Sequence, residues 1–155
     1  MESKSPPSAQ TLTLEDLSVG QTFRSSTHTI DTEQIKAFAR QFDPQPFHLD
    51  ENAAKNSFFG TLVASGWHTA ALSMRLIVES TPIEGGLIGA SCDIAWTAPT
   101  NPGDTLHVES EVAAIKPSKS RPFGVVTIRS ITRNQNGKAV QEMSSRLVVP
   151  KRTKA

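Results

Sequence analysis

The sequence predicts an α+β protein in which one long antiparallel sheet wraps around a single central helix. Three observations lead there. Residues 87–149 read as four long strands joined by turns, with no helical pattern between them. A single helix, Gly66 to about Glu79, is apolar enough to be enclosed on most sides. One strand-like stretch precedes all the helices, and this strand–helices–strands order suits one sheet closing over one helix. A chain of 155 residues is one domain with a proper core.

Along the chain, residues 1–11 are polar, carry Pro6-Pro7 and read as a disordered tail. The folded domain spans 12–150, and 151–155 form a short basic tail whose Lys151, Arg152 and Lys154 are expected to be solvated. Thr13 to Leu17 suggests a helical turn closed by Gly20, and Gln21 to Ile30 a strand. Asp31 with Gln34 caps a helix whose Ile35, Phe38, Ala39 and Phe42 share one face. Asp50 caps a second, short helix to about Ser57, ended by Phe58-Phe59-Gly60. Ser65 caps the central helix, whose apolar stripe reads as Trp67, Ala70, Ala71, Met74, Ile77 and Val78. Strands are then expected over Leu87–Ala98, Thr105–Ile115, Phe123–Arg133 and Lys138–Val149, with Asn134-Gln135-Asn136-Gly137 as a hairpin turn.

Composition narrows the function. The net charge is +1, which gives no general attraction to nucleic acid or membrane. The N-terminus lacks the apolar core of a signal peptide and no stretch is long enough to span a membrane, so a soluble cytoplasmic protein is expected. Cys92 is the only cysteine and reads as a small core residue. Four scattered histidines without matched Cys or Glu spacing give no metal site.

The most informative segment is Phe42-Asp43-Pro44-Gln45-Pro46-Phe47-His48. Each proline biases the residue before it toward extended backbone, so Asp43 and His48 should sit on a stiff, non-helical turn. Such a turn holds a carboxylate and an imidazole at a fixed separation, which acid–base chemistry requires before any particular pKa. Gly66, opening the buried helix, offers an N–H with no partner in its own helix and lets a carbonyl approach closely.

These residues resemble the MaoC-like hydratases, relatives of the (R)-specific enoyl-CoA hydratases. The resemblance rests on Asp43, Pro44, Pro46, Phe47 and His48, on Ala54, on Ser65-Gly66, on Pro102-Gly103-Asp104-Thr105-Leu106 and on the loop Lys116 to Pro122. It covers about Leu14 to Val149. It implies a single hot-dog domain that adds water to a trans-2-enoyl-CoA, giving an (R)-3-hydroxyacyl-CoA, or runs the reverse dehydration. Asp43 and His48 would act on one water molecule, and Gly66 would donate to the thioester oxygen. Gln45 and Ser65 would orient the site. Lys116, Lys119 and Arg121 would hold the coenzyme A phosphates. No cofactor is implied beyond the coenzyme A of the substrate, and a homodimer or dimer of dimers is expected, with an acyl-CoA thioester as the partner and neither nucleic acid nor membrane.

Two positions depart from the family pattern. Gln45 replaces the usual asparagine, and Met74 stands where some hydratases carry a serine, Ser73 pointing elsewhere. They keep open a non-catalytic acyl-CoA-binding or assembly subunit of the same fold. A thioesterase is disfavoured, because the central helix has no acid before Glu79. Among the remaining residues, His68 is expected to be hydrogen-bonded within the packing, and Trp67 to be core. Phe58 and Phe59 are candidates for an acyl tunnel.

Overall fold

The computed structural model describes residues 10–153. Its frame is three long antiparallel strands: β4 (Thr105–Pro117), β5 (Phe123–Arg133) and β6 (Ala139–Pro150). Two hairpins join them, the second turning at Asn134 to Gly137, where Gly137 N–H returns to Asn134 O and Gly137 takes the positive φ the turn needs. Alternation sets the faces. In β5, Gly124, Val126, Ile128, Ser130 and Thr132 are buried, and the residues between them face outward. The short β1 (Thr22–Arg24) and β2 (His28–Thr29) pair with β4 on one side, and β3 (Ile88–Ala95) pairs with β6 on the other. The order is β1-β4-β5-β6-β3, with β2 also on β4. Register shifts at Val112/Ala114 and Gly89/Ser91 bend the sheet. This is a hot-dog fold, α+β as the sequence predicts.

The strand expected over Gln21–Ile30 is divided at Ser25. Val108 N–H bonds to the Ser25 hydroxyl at 2.8 Å while Ser25 N–H bonds to Val108 O, so a side chain substitutes for a ladder carbonyl and the pairing steps out of register. Helix α1 (Thr32–Phe42) starts as expected, Asp31 accepting from Gln34 N–H at 2.8 Å. Of the face expected to carry Ile35, Phe38, Ala39 and Phe42, Ile35 and Ala39 are at 0% exposure, but Phe42 at the last turn is 68% exposed.

Helix α4 (Gly66–Ser80) packs into the concave face of the sheet through a different stripe from the expected one. Thr69, Leu72, Ser73, Leu76 and Ile77 are buried; Trp67, Ala71, Met74 and Val78 are exposed, and only Ile77 belongs to both sets. The reason is polar. Thr69 bonds Thr100 at 3.1 Å and Ser73 bonds Thr132 at 2.6 Å, so small hydroxyls pair across the helix–sheet contact and bring it close. Leu72, Leu76 and Ile77 meet Leu106, Val108 and Val140 between them. Ala71 therefore has no role in the approach of the sheet.

Two further expectations are corrected. Cys92 is exposed, because β3 ends the sheet and its faces are largely uncovered. The C-terminal residues 151–152 are not a free tail: Lys151 Nζ donates to Ser118 O at 2.6 Å, and Arg152 reaches Asp16 at 2.6 Å while its N–H meets Glu15 at 2.8 Å. At the other end, Leu12 N–H is bonded to Pro82 O, and residues 1–9 of the tail expected over 1–11 lie outside the described residues. Among the described residues no helix is long and apolar enough to cross a membrane.

Candidate active site

The segment from Asp43 to His48 is helical at its second half, not a non-helical turn. Asp43 is the C-cap of α1, and Pro46 is the first residue of a one-turn helix, α2 (Pro46–Leu49). Proline suits that position because its missing N–H would have no partner there. His48 thus projects from α2, 4% exposed, and α3 (Glu51–Lys55) follows with Asp50 as its cap. Of the two residues that precede a proline, Gln45 is extended (φ −98°, ψ 146°) and Asp43 is not (φ −155°, ψ 69°), and a helix begins immediately after Gln45.

Asp43 and His48 meet, with His48 Nε2 at 3.3 Å from Asp43 Oδ2. The other ring nitrogen, Nδ1, lies 2.7 Å from Val63 O. A carbonyl only accepts, so Nδ1 carries a proton. In the neutral ring the free lone pair is then Nε2, beside the carboxylate; in the protonated ring the two form an ion pair. Those two forms are a base and an acid on one atom.

Asp43 is held from three sides. Ser65 Oγ donates to Oδ2 at 2.6 Å, Gln45 Nε2 donates to Oδ1 at 2.5 Å, and His48 completes the set. Burial, the largest single influence, pushes the carboxyl up; the Ser65 and Gln45 hydrogen bonds and the His48 charge together outweigh it and leave Asp43 below the ordinary aspartate value. Ser65 also accepts from Trp67 N–H at 3.2 Å, as the N-cap of α4. Gln45 and Ser65 are thus each bonded to Asp43.

Gly66 opens α4 next to this group, and both line a cleft of about 350 Å³ with Asp43, Gln45, His48, Phe47, Phe59, Trp67 and Trp96. Phe59 is at the cleft, but Phe58 is 97% exposed and outside it. Trp67 is a wall of the cleft, 59% exposed, not a core residue. His68 points the other way, stacked on Phe38 with ring centroids 4.6 Å apart. Its Nδ1 is buried with no hydrogen-bond partner among the described residues, contrary to expectation, and burial lowers its pKa, with nearby His28 adding to the effect.

The predicted phosphate-binding cations are not in this cleft. Lys116 lies at the far end of β4 from Thr105, and thirteen residues of strand separate those ends by roughly 40 Å of chain. It lines a separate hollow of about 440 Å³ with Arg146, while Lys119 and Arg121 are exposed on the loop beyond. Topology, which spacing along the sequence does not reveal, puts the two at opposite ends of one hairpin. Sequence reasoning missed Trp96, just past β3, and Val63, whose carbonyl orients His48; a lone aromatic before a Pro-containing turn and a main-chain acceptor leave no periodic signal. Among the described residues no group of three or more His, Cys, Asp or Glu side chains gathers in a way that would hold a metal ion.

The chain is similar to proteins of known name and structure. A MaoC-like dehydratase structure from Rhodospirillum rubrum is 54% identical, superposes with a TM-score of 0.90, and is matched over 92% of this chain and 99% of that one. An (R)-specific enoyl-CoA hydratase of the same organism is 30% identical over 139 residues, 89% of this chain and 92% of the relative. A 3-hydroxybutyryl-CoA dehydratase from Methylorubrum extorquens is 33% identical over 116 residues, 74% of this chain and 73% of the relative. The MaoC like domain matches residues 15–134, and the chain belongs to that family.

Proposed function

We propose that this protein is a hydro-lyase that adds water to a trans-2-enoyl-CoA, or removes it from the (R)-3-hydroxyacyl-CoA. The observation that carries the reading is the Asp43–His48 pair, 3.3 Å apart in a cleft that also holds the N-terminus of α4. The names of the relatives, an enoyl-CoA hydratase and a hydroxybutyryl-CoA dehydratase, support the same reaction class.

In the hydration direction the pair takes a proton from water as its oxygen bonds to the β-carbon. Electrons shift onto the thioester oxygen, and Gly66 N–H stabilises the developing charge, helped by the positive end of the helix dipole. A proton returned from the pair to the α-carbon completes the addition. Val63 O fixes the His48 tautomer so that Nε2 is the working nitrogen. Ser65 and Gln45 hold Asp43 still. Coenzyme A belongs to the substrate, and no separate cofactor enters.

The protein would act as a homodimer. β3 is the last strand of the sheet, and Ile88 on it and Met74 and Val78 on α4 are exposed apolar groups at 58%, 38% and 50%. A second copy paired along β3 would cover them and close the open edge. Lys116, Lys119 and Arg121 take no part in the cleft of their own chain.

The test is the loss of enoyl-thioester absorbance with crotonyl-CoA and longer enoyl-CoAs. Turnover that falls at least about 100-fold in both Asp43→Asn and His48→Ala, with the fold intact, supports the reading. Tight binding of the enoyl-CoAs with no turnover by the unaltered protein overturns it in favour of a binding subunit.

A further inference from the structure

We propose that Trp96 is a specificity-determining residue that closes the apolar end of the cleft and restricts the acyl group to short chains. The inference rests on the acyl-CoA reading of the cleft.

Trp96 lies on Gly66. A Cβ built on Gly66 would sit 2.7 Å from Trp96 Cε2 and 2.8 Å from Cδ2, so the indole is already in contact with the glycine backbone. The ring is pinned from behind: Nε1 donates to Gln141 Oε1 at 3.1 Å, and Gln141 is 1% exposed on β6. A buried amide is costly unless its polar atoms are bonded, so this glutamine and this indole form one unit. Trp67 meets the same ring edge-on, with centroids 5.1 Å apart. It is bonded to no such buried partner among the described residues and is the more exposed of the two.

Asp43, Gln45 and His48 bring polar groups to the cleft, and Phe47 stands against His48. Trp96, with Trp67 against it, makes the apolar side at Gly66. A thioester oxygen at Gly66 N–H, with its β-carbon toward the pair, leaves its hydrocarbon tail to the apolar side, where desolvation favours it. There the fixed indole is the obstacle. At about 350 Å³ the cleft is at the small end for a ligand site. A pinned wall in a small cleft selects by length.

The experiment has two readouts on the full chain. Calorimetric titration compares saturated butyryl-CoA with octanoyl-CoA, and turnover compares crotonyl-CoA with octenoyl-CoA. In Trp96→Ala the preference should move toward the eight-carbon ligand by at least about tenfold in both ratios. Trp96→Phe, which keeps a ring but loses the bond to Gln141, should move it less and serves if the alanine variant fails to fold. Equal losses for short and long ligands, with ratios unchanged, overturn the inference and leave Trp96 a packing residue. A shifted binding ratio without turnover by the unaltered protein overturns the hydratase reading alone. Absence of acyl-CoA binding overturns both.

Discussion

The Ser65 hydroxyl donates to Asp43 Oδ2 at 2.6 Å and accepts Trp67 N–H at 3.2 Å, so one side chain both starts the central helix and aims the carboxylate. Removing it should be felt twice. Ser65→Ala is expected to cost about 1 kcal/mol of stability through the lost cap. It should also lower kcat by up to about 100-fold as Asp43 loses its alignment. Denaturant unfolding and steady-state kinetics on the same preparation check both.

The pH dependence follows from the same bonds. Asp43 is held below its ordinary value, so its contribution to stability is present above the ordinary aspartate range and is lost as pH falls through the lowered value. Ser65 and Gln45 supply two of the lowering influences. In Gln45→Leu, and more so in Ser65→Ala, the acid limb of kcat/KM should move to higher pH. A limb that stays in place in both variants would show that these bonds do not set the Asp43 titration.

His68 gives a second pH signature, independent of catalysis. Burial lowers its pKa from 6.5, so the unfolded chain binds the proton more readily. Stability from the neutral ring is full above the unfolded value and falls as pH drops through it toward the lowered folded value. His68→Phe retains the stack on Phe38 and removes both the titration and the unpartnered Nδ1. The variant should be more stable by about 1 kcal/mol near neutrality and should lose less on acidification. Denaturant titrations at pH 7.5 and 5.5 measure the difference, those two values spanning roughly the histidine range.

Gly66 and Trp96 should be coupled. Gly66→Ala drives a methyl into the indole and is expected to cost about 1–3 kcal/mol. Combined with Trp96→Leu, which gives way, the same methyl should cost much less. A double-mutant cycle on unfolding free energies reads the coupling, and additive losses would mean the backbone itself yields.

The dimer proposal makes a simple demand. Val78→Lys with Ile88→Lys places charge on the exposed apolar face of α4 and on the last strand. Sedimentation should report a shift from dimer to monomer. A monomer already present in the unaltered protein would remove the basis for the pairing along β3.

Much of this molecule is legible along the chain because local rules and the fold agree. β5 falls on Phe123–Arg133 as expected, since its alternation and flanking turns are unambiguous. Asp31 and Ser65 cap the helices they precede. The Asp43–His48 pair is visible because two prolines confine the four residues that join them. The buried stripe of α4 is not legible, because Thr69 and Ser73 are core only when Thr100 and Thr132 stand opposite, and those partners are more than thirty and fifty residues away along the chain. The position of the loop carrying Lys119 and Arg121 is not legible either, since the hairpin that carries it away from the cleft of the same chain leaves no mark in the spacing. Trp96 leaves no trace until the strand that precedes it is laid beside Gly66.

The stretch Val63 to Gly66 gathers more than its length suggests. Val63 bonds to Phe47 O through its N–H and to His48 through its carbonyl, Ala64 N–H bonds to Thr100 O, Ser65 holds Asp43, and Gly66 opens α4. The proposed acid–base pair and the proposed oxyanion donor would thus all be gauged from one four-residue ruler, whereas Trp96 and Phe59 arrive from elsewhere in the chain. On the proposed reading, substitutions in those walls would alter which acyl group fits while leaving the reacting groups in place, and a change within 63–66 would disturb all of them at once.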